Sequence, residues 1–142
     1  MIVPDVNILI YAHVTDMPHH VHARDWWSSA INGNESIGLA WSVMTGFIRL
    51  TTTTSLFTQP LSIDQACSVV DSWLQLPHSV TLQPSQDHLN HVRSTISKLK
   101  SGGSVVPDVH LAALAFEYGG TVYSADNDFA RFGLAKWINP VA

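Results

Sequence analysis

Three separate stretches of this chain place aspartates where short apolar runs end. Ile2-Val3 leads to Asp5, and Thr121–Tyr123 leads to Asp126, with Asp128 two residues on. Asp108 falls in the first turn of an almost wholly apolar stretch, Val109–Phe116. Carboxylates brought together repel, and burial adds a desolvation cost to each charge. A divalent cation answers both problems. Hard ions such as magnesium or manganese take oxygen ligands and keep water in their shell. Such an ion can turn its water into a nucleophile and polarise a phosphoryl oxygen. The chemistry these acids point to is metal-assisted phosphodiester hydrolysis. Taken singly, each has a plainer reading: Asp5 as a helix cap, Asp108 as a helix-dipole partner, Asp126-Asn127-Asp128 as a turn.

The elements that must position these acids follow from apolar spacing and from turn residues. Helices are predicted over residues 7–13, 19–31, 41–51, 62–76, 87–100 and 107–118. Strands are predicted at 2–3, 36–39, 80–82, 121–123 and 136–138. Ser62 is the expected N-cap of its helix. Asn32-Gly33-Asn34, Ser101-Gly102-Gly103 and Gly119-Gly120 close three others. Strands alternating with helices predict an α/β fold: a three-layer α/β/α sandwich with a central parallel sheet. Residues 109–116 are apolar almost all round, as a helix buried on the sheet requires. Right-handed crossovers set the strand C-termini along one edge, where sites form in such sheets. All three acidic segments meet that edge.

Composition narrows the function classes. The chain has 142 residues, seven basic and eleven acidic, and 13% are charged. An average soluble domain carries roughly 25%. With 46% hydrophobic residues, one domain spanning 1–142 can bury a core, and disorder is excluded. The net charge of −4 and the absence of a Lys/Arg run exclude a nucleic-acid coating protein. A single cysteine, Cys67, excludes a disulfide framework and a cysteine zinc site. No apolar run approaches the roughly 20 residues needed to span a bilayer. The residues before Asp5 lack a basic lead-in, so a cytoplasmic location is expected.

Three blocks carry a family resemblance: Val3-Pro4-Asp5-Val6-Asn7-Ile8-Leu9, Val106-Pro107-Asp108-Val109-His110-Leu111-Ala112-Ala113-Leu114-Ala115 and Ser124-Ala125-Asp126-Asn127-Asp128-Phe129. In this order and separation they resemble PIN-domain nucleases, and among these the VapC toxins of bacterial toxin–antitoxin pairs. Arg131-Phe132 and Trp137-Ile138-Asn139-Pro140 resemble a mycobacterial branch. The resemblance spans essentially the whole chain. It implies a PIN-like sandwich and a magnesium- or manganese-dependent ribonuclease acting on tRNA or ribosomal RNA. It further implies a VapB-type antitoxin and a homodimer. Asp5, Asp108 and Asp126 match the first, third and fourth acids of the family and are the implied metal ligands. Asp128 matches an accessory acid, and Asn7 a polar residue that orders the first acid.

One position departs from the pattern. The family's second acid, usually glutamate, falls on the 41–51 helix at Gly46, and that helix holds no acid. A helical glycine costs up to about 1 kcal/mol against alanine, so close approach of another group is expected there. Arg49, one turn on, is a candidate contact for a substrate phosphate or a site aspartate. The missing acid also leaves open a catalytically weak PIN-like protein that binds RNA or an antitoxin. A haloacid-dehalogenase-type phosphatase would need a second aspartate where Asn7 stands.

Other candidates have plainer readings. His19, His20 and His22 lack i,i+4 spacing and read as a solvated helix start. His110 reads as a helix-surface or packing residue. His88 and His91 share a face and read as surface residues, with only Asp87 as a nearby acid. Trp26 and Trp27 are adjacent, so both cannot centre one helix face. Trp27 joins the core stripe, and Trp26 is either the flank of a wide core face or part of a groove for the antitoxin.

Overall fold

Ile2 and Val3 are apolar and extended and enter a sheet that is buried on both faces. The computed structural model describes residues 1–100 and 102–142. In chain order the elements are β1 (Ile2–Pro4), α1 (Val6–His13), α2 (His20–Asn32), β2 (Ile37–Leu39) and α3 (Trp41–Thr51). There follow α4 (Ile63–Leu74), β3 (Ser79–Thr81), α5 (His88–Leu99), α6 (Val106–Glu117), β4 (Thr121–Tyr123) and β5 (Lys136–Ile138). The five strands form one parallel sheet in the order β3-β2-β1-β4-β5. The predicted α/β fold is therefore present, with strand and helix bounds within two residues.

Chain direction explains the layers. From β1 the chain steps outward to β2 and β3, then returns past β1 to β4 and β5. Right-handed crossovers put the outward connections on one face and the returning one on the other. The packing agrees: α1 lies against α2 and α3, α3 against α4, and α5 against α6. The direction reverses between β1 and β4, which pair from Ile2–Thr121 to Pro4–Tyr123. Asp5 follows one of these strands and Ser124-Ala125-Asp126 the other. The central strands β1 and β2 are wholly buried, while the edge strands β3 and β5 are partly exposed.

Local chemistry fixes the helix ends that matter. Ser62 caps α4 through a reciprocal box: its hydroxyl accepts from the Gln65 N–H, and Gln65 accepts from the Ser62 N–H. Helix α6 closes on Gly119, which holds a left-handed φ of 66°. At Gly120 a Cβ would lie 3.0 Å from the Val3 side chain, so glycine lets the chain enter β4 beside β1. Five residues of α6, Leu111 to Ala115, are buried in succession.

Within the α1–α4 layer, His13 sits in an aromatic cage of Trp27, Phe47 and Trp73. Its Nδ1 faces the Leu9 carbonyl at 2.7 Å, and its Nε2 accepts from the Trp73 indole N–H at 3.3 Å. Nδ1 therefore carries the proton and the ring is neutral. Burial lowers the pKa of His13 from its ordinary value. The α2 start is less solvated than expected: His19 and His22 are exposed, but His20 is half-buried on the Tyr11 carbonyl at 2.7 Å. No helix among the described residues is long and apolar enough to cross a membrane.

Candidate active site

Asp5 follows β1 and caps α1, and the sheet buries it to 6% exposure. Its Oδ1 accepts from the Val6 N–H at 2.7 Å. Its Oδ2 accepts from the Ser124 hydroxyl at 2.7 Å and from the Asn7 amide at 3.3 Å. Burial raises the Asp5 pKa most, the Ser124 and Val6 hydrogen bonds oppose it, and Asp126 adds repulsion.

Ser124, fully buried just beyond β4, joins the two halves of the site. Besides donating to Asp5, its Oγ accepts from the Asn7 amide at 3.1 Å and the Asp126 N–H at 3.0 Å. One donor and two acceptor sites exhaust a hydroxyl. Asn7 also accepts from the Ala125 N–H at 3.2 Å, so it orders both strand ends. Asp126 in turn accepts from the Asp128 N–H at 2.9 Å, the turn its sequence predicted, and Asp128 pairs with Arg131 at 3.4 Å.

Carboxylate oxygens of Asp108, Asp126 and Asp128 all lie within 4.8 Å of one another. Asp108, brought there by the first turn of α6, has its pKa raised to about 7. The causes are burial first, then the charges of Asp5 and Asp126, a hydrogen bond with Asp126, and the charge of Asp128. Burial and crowded negative charge make Asp108 hold its proton tightly. An all-oxygen donor set with this repulsion fits a hard divalent ion.

Asp108, Asp126 and Asp128 therefore converge, and Asp5 acts on Asp108 and Asp126 through its charge. Asp5 stands behind them as a buried, firmly oriented neighbour. A cavity of about 140 Å³ opens beside them, lined by Asp5, Asp108, Ser42, Gly46, Arg49 and Leu50. Arg49 reaches this cavity but pairs with no aspartate among the described residues. Close approach at Gly46 is not found: a Cβ there would meet only Val6, at 3.7 Å. Gly46 itself lines the cavity. Trp26 is half-buried and stacks on Tyr123 with ring centroids 5.3 Å apart.

Sequence reasoning missed Ser124 as an organiser, although it stands in the third block directly before Ala125-Asp126. It also misplaced two histidines, His88 and His91, whereas His110 packs as read. His88 and His91 are not free surface residues, because α6 brings Glu117 between them, 2.8 Å from each. His110 is half-buried and bonds His88 at 2.8 Å.

Comparison with known proteins matches this geometry to a family. Residues 2–134 match the PIN domain model. The chain is 37% identical to ribonuclease VapC33 of Mycobacterium tuberculosis over 141 residues, 99% of each chain. This chain belongs to the VapC ribonucleases of the PIN-domain family. VapC37 of the same organism is 35% identical over 142 residues, covering 100% of this chain and 99% of VapC37. The fold of the VapC family recurs in solved structures. M. tuberculosis VapC20, a toxin that cleaves the sarcin-ricin loop, superposes with a TM-score of 0.70 at 13% identity, covering 96% of this chain and 98% of VapC20. VapBC-1 of nontypeable Haemophilus influenzae gives 0.67 at 18% identity, with both chains fully covered.

Proposed function

We propose that this VapC-family chain is the toxin of a type II toxin–antitoxin pair and acts as a magnesium- or manganese-dependent endoribonuclease. The observation that carries this reading is the convergence of Asp108, Asp126 and Asp128 carboxylate oxygens within 4.8 Å of one another, beside the buried Asp5. Asp108 and Asp126 are the central candidates to hold the ion, with Asp5 and Asp128 on either side. When bound, the ion supplies charge neutralisation for a phosphate and acidity for a water molecule. Asp5 cannot swing away, because Val6, Asn7 and Ser124 hold its oxygens. Arg49, exposed at the cavity, offers a guanidinium to the RNA backbone. With few basic residues elsewhere, RNA contact concentrates at this charged edge. The substrate class proposed is tRNA or ribosomal RNA.

The cognate partner proposed is a VapB-type antitoxin, supported by the toxin–antitoxin complexes among the solved structures of this fold. Trp26 is proposed to contact it with the part of its ring that packing leaves open. A second copy of the chain is the proposed dimer partner, supported by exposed apolar side chains such as Trp41 and Ile63.

The test is cleavage of structured RNA with magnesium or manganese, comparing the native chain with Asp108→Asn. Loss of several kcal/mol of transition-state stabilisation corresponds to at least about a hundredfold slower cleavage. Metal binding without cleavage by the native chain would instead support an RNA- or antitoxin-binding protein, which the missing acid at Gly46 favours.

A further inference from the structure

We infer that a second cavity, next to the acids, seats one unpaired base of the RNA substrate, with Tyr11 and Phe57 as the side chains that stack on it; this rests on the ribonuclease reading above. The cavity measures about 260 Å³. Its wall is built by Tyr11 of α1, Leu50 of α3, and Met17, Leu56 and Phe57 of the connecting segments, with Asn7 as its one amide. Leu56 is exposed, so the cavity stays open to solvent.

Position decides the occupant. Leu50 lines this cavity and the acid cavity alike. Asn7, on the apolar cavity, donates to Asp5 Oδ2 at 3.3 Å. Arg49, the sequence neighbour of Leu50, lines the acid cavity. The two cavities therefore share a wall. In a nucleotide the base is joined to its phosphate through one sugar, so a phosphate held at the acids carries a base into the adjoining cavity. A protein partner of ordinary interface size covers roughly 800 Å² per side, whereas a cavity of this size takes one planar group.

The lining selects an unpaired base rather than a sequence. Asn7 Nδ2 donates to Asp5 and to Ser124, and its Oδ1 accepts from the Ala125 N–H. Both amide hydrogens are thus engaged and cannot read a base edge. Recognition falls to ring faces. Every base has a π-face, so stacking on aromatic side chains tolerates any sequence. A base held in a duplex, by contrast, is not free to be splayed into a cavity. Tyr11 is braced by His19, with ring centroids 5.9 Å apart, and it alone among the aromatic lining adds a hydroxyl. Phe57 arrives from the segment between α3 and α4, so packing of that segment over α1 completes the seat.

The experiment measures cleavage by the native chain, with magnesium or manganese, of a single-stranded RNA in which an abasic site is moved one position at a time. At one position beside the cleaved bond the abasic site should raise KM about five- to 150-fold, the span of base–aromatic stacking. Phe57→Leu keeps the apolar bulk but should raise KM for intact RNA, and Phe57→Trp should restore it. The loss should fall on KM more than on kcat, because the stacked base is held equally in ground and transition states. For the abasic RNA, Phe57→Leu should cost nothing further, since the partner base is gone. Additive losses, or a KM insensitive to the abasic site at every position, would overturn the proposal. So would a Phe57→Leu chain that binds a VapB-type antitoxin more weakly while its KM for RNA is unchanged, which would assign the cavity to the antitoxin. The abasic series on the native chain decides the matter even where a variant fails to fold. No cleavage by the native chain would count against the ribonuclease reading instead. Photocrosslinking of RNA carrying 5-iodouridine at each position in turn then tests the cavity: a crosslink to Tyr11 or Phe57 supports the base seat, and crosslinks only elsewhere, or none, overturn it.

Discussion

The Ser124 hydroxyl donates a 2.7 Å hydrogen bond to Asp5 Oδ2 across 119 positions of sequence. Pairing of β1 with β4 brings these two residues together, and the bond favours the charged form of the most buried acid of the site against the burial that raises its pKa. Ser124→Ala should raise the Asp5 pKa further, moving the acid limb of the cleavage rate to higher pH. A hydrogen bond to a charged group contributes about 1.5–3 kcal/mol, so stability above the Asp5 pKa should fall by that order. A pH–rate profile and urea unfolding check both. An unshifted acid limb would show that Ser124 only packs.

Asp108 must lose its proton to ligate an ion. With a metal-free pKa of about 7, a proton competes with magnesium below neutrality. Apparent magnesium affinity should fall up to tenfold for each pH unit below about 7. At pH 6, binding should release close to one proton. Calorimetric titration in two buffers of different ionisation heat measures that number. Zero proton release would place the ion elsewhere. The same linkage acts on stability: the raised folded pKa makes metal-free stability fall as pH rises from about 3.8 to about 7, and Asp108→Asn should remove that fall.

Gly46 offers a substitution the packing already admits. Its Cβ position meets only Val6 at 3.7 Å, so Gly46→Ala should stabilise α3 by up to about 1 kcal/mol. Gly46→Glu places a carboxylate on the cavity shared with Asp5 and Asp108. It should raise manganese affinity while lowering metal-free stability at pH 8. Thermal melts with and without manganese test this. A variant stabilised in both states would mean that its carboxylate points away from the acids.

His13 gives the α1–α4 layer its own pH dependence. Burial lowers its pKa below the ordinary 6.5, so the folded state holds it neutral while the unfolded chain protonates. Its stabilisation is complete above about 6.5 and is lost as pH falls toward the folded pKa, at up to about 1.4 kcal/mol per unit. His13→Gln keeps an acceptor for the Trp73 N–H and does not titrate. Subtracting its stability curve from that of the native chain isolates this slope. Parallel curves between pH 6.5 and 5 would exclude His13 as the source.

Much of this molecule was legible along the chain. Residues 41–51, 121–123 and 136–138 form their elements at the predicted bounds, and Ser62 caps its helix, because apolar spacing and caps are local physics. Four aspartates in three motif blocks announced an acidic edge for the same reason. What lay outside local pattern were partnerships between elements. Periodicity shows that His88 and His91 share a face, but not that Glu117, 26 and 29 positions away, will be pressed between them by α5–α6 packing. Nor does it show that Ser124 spends its hydrogen-bonding capacity joining Asp5, Asn7 and Asp126, or that Gly46 lines a cavity. Side-chain spacing determines which groups point together along one element. Only the order of strands and the packing of helices decides which groups on different elements meet.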